Sequence, residues 1–230
     1  MVYFISGIDT DTGKSVVTGL LARSIRDQGI PVITQKFIQT GCIGIAEDIR
    51  THRKIMGVEP YPSDWEGMTC PYVMSYPASP HLAAEIDHVK IKPEAIAHAT
   101  RELEKRFGMV LLEGAGGLFV PYTRDYRFTI DYIREQGLPL ILVTSSKLGS
   151  INHTLLSLEA CRARGIEIPF LVYNRYPDES EPITEDSLQV IRDCFPRYYP
   201  QGQIIEIPVV EGEAWPEVDV HALITWRPGK

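Results

Sequence analysis

The sequence predicts an α/β fold: a doubly wound, mostly parallel sheet with helices on both faces and a deviant phosphate-binding loop after the first strand. Two features carry that expectation. Short apolar runs alternate along the chain with helix-length amphipathic stretches, the pattern of crossover connections that keep strands parallel. The first apolar run, Val2-Tyr3-Phe4-Ile5, passes through Gly7-Ile8-Asp9-Thr10-Asp11-Thr12-Gly13-Lys14-Ser15 into Val16-Val17-Thr18-Gly19-Leu20-Leu21-Ala22. A strand before the glycine-bounded turn and an apolar helix after it are the context a phosphate loop demands.

The elements follow in order. Residues 2–6 read as the first strand and 14–27 as the first helix, ended by Gln28-Gly29 with glycine at the C-cap. Residues 31–37 are the second strand. Gly41 to Gly44 is a turn, and 45–56 a helix. Residues 60–80 are Pro-rich, carry Trp65, and read as a long irregular loop. Pro80 then stands at a helix's first position. Residues 92–107 are helical, with Ile96, Leu103 and Phe107 among the apolar positions. A buried strand at 109–112 runs into Glu113-Gly114-Ala115-Gly116-Gly117. A helix at 129–136, a strand at 138–143, a helix at 150–164, a strand at 168–173, a helix at 182–195 and a last strand at 204–207 complete one domain over residues 1–230.

Composition removes several classes of function. Apolar content of 44% and charged content of 23% over 230 residues are those of a globular chain that can bury a full core. A net charge of −7 argues against a nucleic-acid partner. Cys42, Cys70, Cys161 and Cys194 are scattered without CxxC spacing, so reduced thiols and a cytoplasmic location are expected. Residues 2–6 are too short for a signal or membrane segment, and no membrane association is expected.

The chemistry collects where strands end. Backbone N–H groups at a helix start face an anion, Lys14 can reach terminal phosphates, and the Ser15 hydroxyl can ligate Mg²⁺. Five residues separate Gly7 from Gly13, one more than the standard pattern. Lys36 ends the second strand, Glu113 follows four apolar residues, Asn174 ends the 168–173 strand and Pro208 follows the last one. Carboxyl ends of an open parallel sheet converge on one crevice. A carboxylate after a buried run needs a partner, and Mg²⁺ is the natural one. Asp48 is a second candidate for the metal, although Glu47-Asp48 also reads as acidic residues in a first helical turn. His81 and His153 read equally well as helix-start residues.

An ordered set of stretches resembles the dethiobiotin synthetase family over nearly the whole chain. Residues 7–15 resemble its G-T-D-T-x-V-G-K-T, Gln35-Lys36-Phe37-Ile38-Gln39-Thr40-Gly41 its K-P-[IV]-x-[ST]-G, and Asp48 its loop Asp. Ser79-Pro80-His81, Glu113-Gly114-Ala115-Gly116-Gly117 and Lys147-Leu148-Gly149-Ser150-Ile151-Asn152-His153 match its S-P-H, E-G-A-G-G and L-G-x-I-N-H. Phe37 departs from the family's Pro, and Arg175 stands where an acidic residue is common.

The resemblance implies ATP- and Mg²⁺-dependent conversion of 7,8-diaminononanoate and CO₂ into a cyclic urea, through a carbamate and a carbamic–phosphoric anhydride. It implies catalytic roles for Lys14, Lys36 and Thr10, and a metal site of Ser15, Asp48 and Glu113. It puts the nucleotide against Asp11, Thr12, Gly13, Lys14, Ser15, Val16, Asp48, Glu113, Gly114, Ala115 and Gly116. Asn174, Arg175, Ile207, Pro208 and Val209 are implied at the base. It also implies a homodimer in which Gly149, Ser150, Ile151 and Asn152 of one subunit join Thr40 of the other around the diamine. The main competing reading is a nucleotide-switch ATPase of the partitioning type acting on a protein partner. That type carries an extra Lys early in its loop, where this chain has Asp9 and Thr10.

Overall fold

Why the strands lie side by side follows from their composition. The central ones are nearly unbroken apolar runs, which are stable only when both faces are covered. The computed structural model describes residues 1–177 and 180–228. Its strands are β1 (Val2–Gly7), β2 (Val32–Lys36), β3 (Gln39–Thr40), β4 (Val73–Met74), β5 (Met109–Gly117), β6 (Leu140–Ser145), β7 (Phe170–Asn174) and β8 (Gln203–Ile207). Six form one sheet in the order β2-β5-β1-β6-β7-β8, and every neighbouring pair is parallel. β3 and β4 make a separate two-stranded parallel ladder beside the end of β2.

The helices are α1 (Lys14–Asp27), α2 (Glu47–Met56), α3 (Pro62–Trp65), α4 (Pro80–Ile86), α5 (Pro93–Phe107), α6 (Thr129–Gln136), α7 (Ser150–Arg162), α8 (Glu181–Tyr198) and α9 (His221–Thr225). They divide between the two faces of the sheet. Tyr3 and Ile5 of β1 point into a core shared with Leu20, Leu21 and Ile25 of α1, Ile55 of α2 and Leu223 of α9. Phe4, between them, points the other way into a core with Ile96 of α5, Ile133 of α6, Leu158 of α7 and Ile191 of α8. That alternation is the two-residue period of a strand sandwiched between helical layers.

Several boundaries differ from the sequence reading. β5 does not stop at Leu112 but runs to Gly117, so Glu113 lies within the strand, paired across to Lys36 on β2 and Ile5 on β1. The glycine run continues pairing, with Gly7 opposite Gly117 beyond a register shift. β6 starts at Leu140 because Leu138 still closes the turn after α6 through Leu138 N–H to Ile133 O at 3.1 Å. β7 starts after Pro169, which has no N–H to give a ladder. α8 continues past Pro196 to Tyr198, its end held by Tyr199 N–H to Phe195 O at 3.0 Å. α3, α9 and the β3–β4 ladder were not expected.

The 60–80 loop has a structural task. β2 is an edge strand, and exposed edges invite unwanted pairing. The loop lies along that edge: Lys36 N–H donates to Thr69 O at 2.7 Å and Gln35 Nε2 donates to Met68 O at 3.3 Å. Trp65 is 71% exposed, and no contact explains it. Cys42, Cys70, Cys161 and Cys194 are all free thiols. Among the described residues no helix is long and apolar enough to cross a membrane.

Candidate active site

The site is built where β1, β2 and β5 release their chains on one side of the sheet. α1 begins at Lys14 immediately after the turn from β1, and its N-cap Gly13 has a left-handed backbone (φ 80°). Only glycine fits there for a second reason: a Cβ on Gly13 would lie 2.2 Å from Asn174 Nδ2. Asn174 closes the turn from β7 by donating from Nδ2 to Thr12 O at 3.0 Å. Lys14 folds back over the loop and donates from Nζ to Asp9 O at 3.0 Å. Thr10 N–H is bound to Asp9 Oδ1 at 2.7 Å.

Glu113 is the centre of the charged network and is wholly buried. Its Oε1 accepts from Ser15 Oγ at 2.9 Å and from Lys36 Nζ at 2.8 Å. Its Oε2 meets His52 Nε2 at 2.7 Å. Lys36 Nζ also donates to Gly114 O at 3.0 Å and pairs with the Asp48 carboxylate. Three elements therefore converge on Glu113 of β5: β2 through Lys36, α2 through Asp48 and His52, and the α1 start through Ser15. Asp48 and His52 stand four residues apart on α2, one helical turn, so both side chains face the same way.

The charges are set by this packing. Burial works against the Glu113 carboxylate, but the Lys36 charge and the His52 hydrogen bond outweigh it and hold the carboxyl well below the usual range. Burial likewise opposes the Lys36 ammonium, and the Glu113 and Asp48 charges overcome it, so Lys36 is held protonated above its ordinary value. Lys14 lacks so close a partner. Burial, with repulsion from Lys36, pulls it down to about 8 against the attraction of Glu113, Asp48 and Asp11.

The departure at Phe37 strengthens the position of Lys36. Phe37 is fully buried and packs edge-on to Tyr122 (centroids 5.3 Å apart) and against Tyr132 (4.8 Å) and Phe4 (5.8 Å). Its N–H donates to Glu113 O at 2.7 Å, so the residue after Lys36 is pinned to the strand that carries Glu113.

A cleft of about 750 Å³ runs across this network. One end holds Ile38, Gln39 and Thr40. The middle is lined by Thr10, Asp11, Gly13, Lys14, Ser15, Val16, Lys36, Asp48, Glu113, Ala115 and Gly116. The other end has Asn174, Tyr176, Val210, Gly212 and Trp215. Thr12 lies outside the lining and contributes its carbonyl to Asn174. Gly114 lies under Lys36 Nζ, where a Cβ would meet Phe4 Cε1 at 2.8 Å. The structure does not bring Arg175, Ile207, Pro208 and Val209 into the lining. Arg175 is turned away, held by Glu185 at 2.5 Å and Glu206 at 3.2 Å, while its N–H donates to Ile207 O at 3.0 Å. Gly149, Ser150, Ile151 and Asn152 also lie outside it, at the N-terminus of α7. Beside them Leu148 is 75% exposed and Leu156 60% exposed.

Sequence reasoning missed His52, Tyr176 and Trp215. His52 carried one usable signal, its place one turn after Asp48. Trp215 carried none, because it follows a Gly/Glu-rich stretch with no periodicity.

Comparisons with known proteins agree with this architecture. A family profile described as an AAA domain matches residues 1–210. A Haemophilus influenzae protein, the ATP-dependent dethiobiotin synthetase BioD 2, is 56% identical over 77% of this chain and 92% of its own length. The dethiobiotin synthetase BioD of Chlorobaculum tepidum is 50% identical over 90% of this chain and 86% of its own. Among solved structures, a ParA family ATPase from Chlorobium tepidum superimposes with a TM-score of 0.53 at 16% identity, covering 91% of this chain and 85% of that one. At that identity the likeness speaks for the fold alone.

Proposed function

The chain belongs to the ATP-dependent dethiobiotin synthetases, a family of ATP-dependent ligases, and from that premise we propose that its cleft closes the urea ring of dethiobiotin on 7,8-diaminononanoate. In the proposed sequence one amine of the diamine takes up CO₂ as a carbamate. A carbamate oxygen attacks the γ-phosphorus of ATP and ADP leaves. The second amine then attacks the carbonyl carbon of the mixed anhydride, phosphate leaves, and the ring is closed.

The observation that carries this reading is the gathering of Ser15, Lys36 and Asp48 around Glu113, beside Lys14 at the start of α1. Negative charge builds on carbamate and γ-phosphoryl together, and fixed cations between them lower the barrier. Lys14 serves the phosphates from the loop side. Lys36, fixed to β2, serves the carbamate side. Thr10 and Thr40 line the same cleft and supply hydroxyls for the carbamate and the diamine.

The donor chemistry fits Mg²⁺. Ser15, Asp48 and Glu113 offer a hydroxyl and two carboxylates, and the Lys36 ammonium already sits against both carboxylates, which marks the spot as one that accepts a cation. When bound, Mg²⁺ would neutralise charge on the terminal phosphates of ATP. Tyr176, Val210 and Trp215 give the far end of the cleft apolar faces suited to a purine. The Arg175 guanidinium, tied to two glutamates, is not available to read the base.

A homodimer in a cytoplasmic setting completes the reading. Exposed Leu148 and Leu156 flank the helix start of residues 149–152, whose N–H groups suit the diamine's tail carboxylate. The central test is product formation. ATP consumption should require both diamine and bicarbonate, and mass spectrometry should find dethiobiotin in step with ADP. ATP hydrolysis indifferent to the diamine would overturn the reading. For the composite site, mixing inactive Lys36→Ala and Asn152→Ala proteins should restore part of the activity once subunit exchange is demonstrated.

A further inference from the structure

We propose that His52 is a positioning residue for Glu113, a buried hydrogen-bonding partner that fixes the carboxylate so that Oε1 faces the metal and phosphate side of the cleft. The proposal rests on Glu113 being a metal ligand, as argued above.

The two oxygens of Glu113 have different surroundings. Oε1 takes both partners on the cleft side, Ser15 Oγ at 2.9 Å and Lys36 Nζ at 2.8 Å. Oε2 has His52 Nε2 at 2.7 Å. Both side chains are fully buried, so water cannot substitute for this contact. If Lys36 and Ser15 turn towards substrates, His52 is the partner that stays, because α2 anchors it within the protein.

Among the described residues the other ring nitrogen, Nδ1, has no hydrogen-bond partner, so the contact with Glu113 is the one that fixes the ring. The ordinary alternative is a buried helix histidine that bonds its own backbone; His52 instead reaches a carboxylate 61 residues away.

The test uses the intact protein with ADP bound and Mn²⁺ as the probe, counted by the electron spin resonance of the free ion. His52→Leu keeps the bulk and removes the donor; His52→Gln keeps an N–H near the Nε2 position. Mn²⁺ affinity should fall on the order of 10-fold to 100-fold in His52→Leu, the usual scale for losing a group that orients a metal ligand, and recover in part in His52→Gln. Metal-free ADP affinity should stay within about twofold, since His52 makes no hydrogen bond to a phosphate-loop residue, and kcat should fall while KM for ATP holds. Unchanged Mn²⁺ affinity in His52→Leu overturns the proposal. If His52→Leu does not fold, His52→Gln decides: Mn²⁺ binding weaker than that of Asp48→Asn counts against it. Glu113→Gln separates the two levels of inference. If it leaves Mn²⁺ affinity intact, Glu113 is no metal ligand and the reading beneath the proposal fails; if it weakens Mn²⁺ while His52→Leu does not, only His52 is misassigned.

Discussion

Neighbouring residues of α2 enter two buried charge networks that differ in one respect. His52 joins Lys36, Asp48, Ser15 and Glu113. Arg53, next in the chain, pairs with Asp64 at 2.8 and 2.9 Å, donates to Thr34 Oγ1 at 2.8 Å, and stacks over the Tyr61 ring at 4.8 Å. Asp64 also accepts from Tyr61 N–H at 2.8 Å and Thr69 Oγ1 at 2.7 Å. The second network is closed, with the Asp64 oxygens and the guanidinium nitrogens all engaged by the protein. The first opens onto the cleft through Asp48, whose side chain is 22% exposed, and Ser15. Burial and pairing alone therefore do not mark a catalytic group. What marks it is a buried charge whose remaining coordination faces a cleft.

The largest expected effect breaks the open network at its centre. Glu113→Gln should lower kcat by more than about 10³-fold with the fold retained, because the proposed metal ligand and the counter-charge of Lys36 are lost together. Steady-state kinetics alongside circular dichroism measure both. Near-normal activity would remove Glu113 from the site and make the two networks equivalent.

The matching change in the closed network should act on stability instead. Arg53→Ala leaves the Asp64 charge buried without its partner and should cost about 3–5 kcal/mol in urea unfolding. The kcat of the molecules that remain folded should be unchanged within about twofold, since Arg53 faces α3 and β2 away from the cleft. A large fall in kcat without loss of stability would show that the networks are coupled through α2.

A smaller effect separates the two lysines of the open side. Lys14→Ala should weaken ATP binding and slow turnover. Lys36→Ala should lower kcat on the order of 10²-fold with a lesser effect on ATP affinity, if, as proposed, its contact tightens as charge moves between carbamate and phosphate. Lys36→Arg should rescue only in part, since a planar fork does not replace a compact ammonium. Nucleotide titration and kinetics on all three variants decide it. If Lys36→Ala loses ATP affinity as badly as Lys14→Ala and keeps kcat, Lys36 is a nucleotide ligand.

The sequence made one of these networks much more legible than the other. The sheet, α1 and the strand-end residues Lys14, Lys36 and Asn174 follow from local pattern, since apolar runs and a glycine turn announce themselves. Glu113 was legible as a carboxylate after a buried run, although the strand carries on through the glycines. His52, Arg53 and Asp64 were not. Each is a polar residue in a polar-looking stretch, and its burial is decided by a partner distant in sequence, Glu113 for His52 and the 60–80 loop for Arg53. Arg175 shows the reverse case: the family resemblance implied it at the base, but Glu185 and Glu206 claim its side chain.

The smallest expected effect tests whether the closed network is a static ion pair. Burial raises the proton affinity of Asp64, but the Arg53 hydrogen bonds and charge outweigh it, helped by Thr69 and the Tyr61 N–H, so its folded value lies below that of an ordinary aspartate. The unfolded chain therefore binds the proton more readily than the folded one. By linkage, this group's contribution to stability is complete above the unfolded value near 4 and is lost as pH falls through the folded value. Asp64→Asn imitates the protonated acid at every pH. At pH 7 it should be less stable than the unmutated protein, because Arg53 keeps its charge and loses its counter-charge. Below about pH 4 the difference should narrow, since Asp64 is then itself being protonated. Urea unfolding of both proteins at neutral and acid pH measures the gap, and the subtraction cancels the acid sensitivity that Glu113 and other carboxylates add to both. A gap that stays constant down to pH 3 would mean that Arg53 stabilises Asp64 through geometry and packing alone, and the two networks on α2 would differ in kind and not only in their access to the cleft.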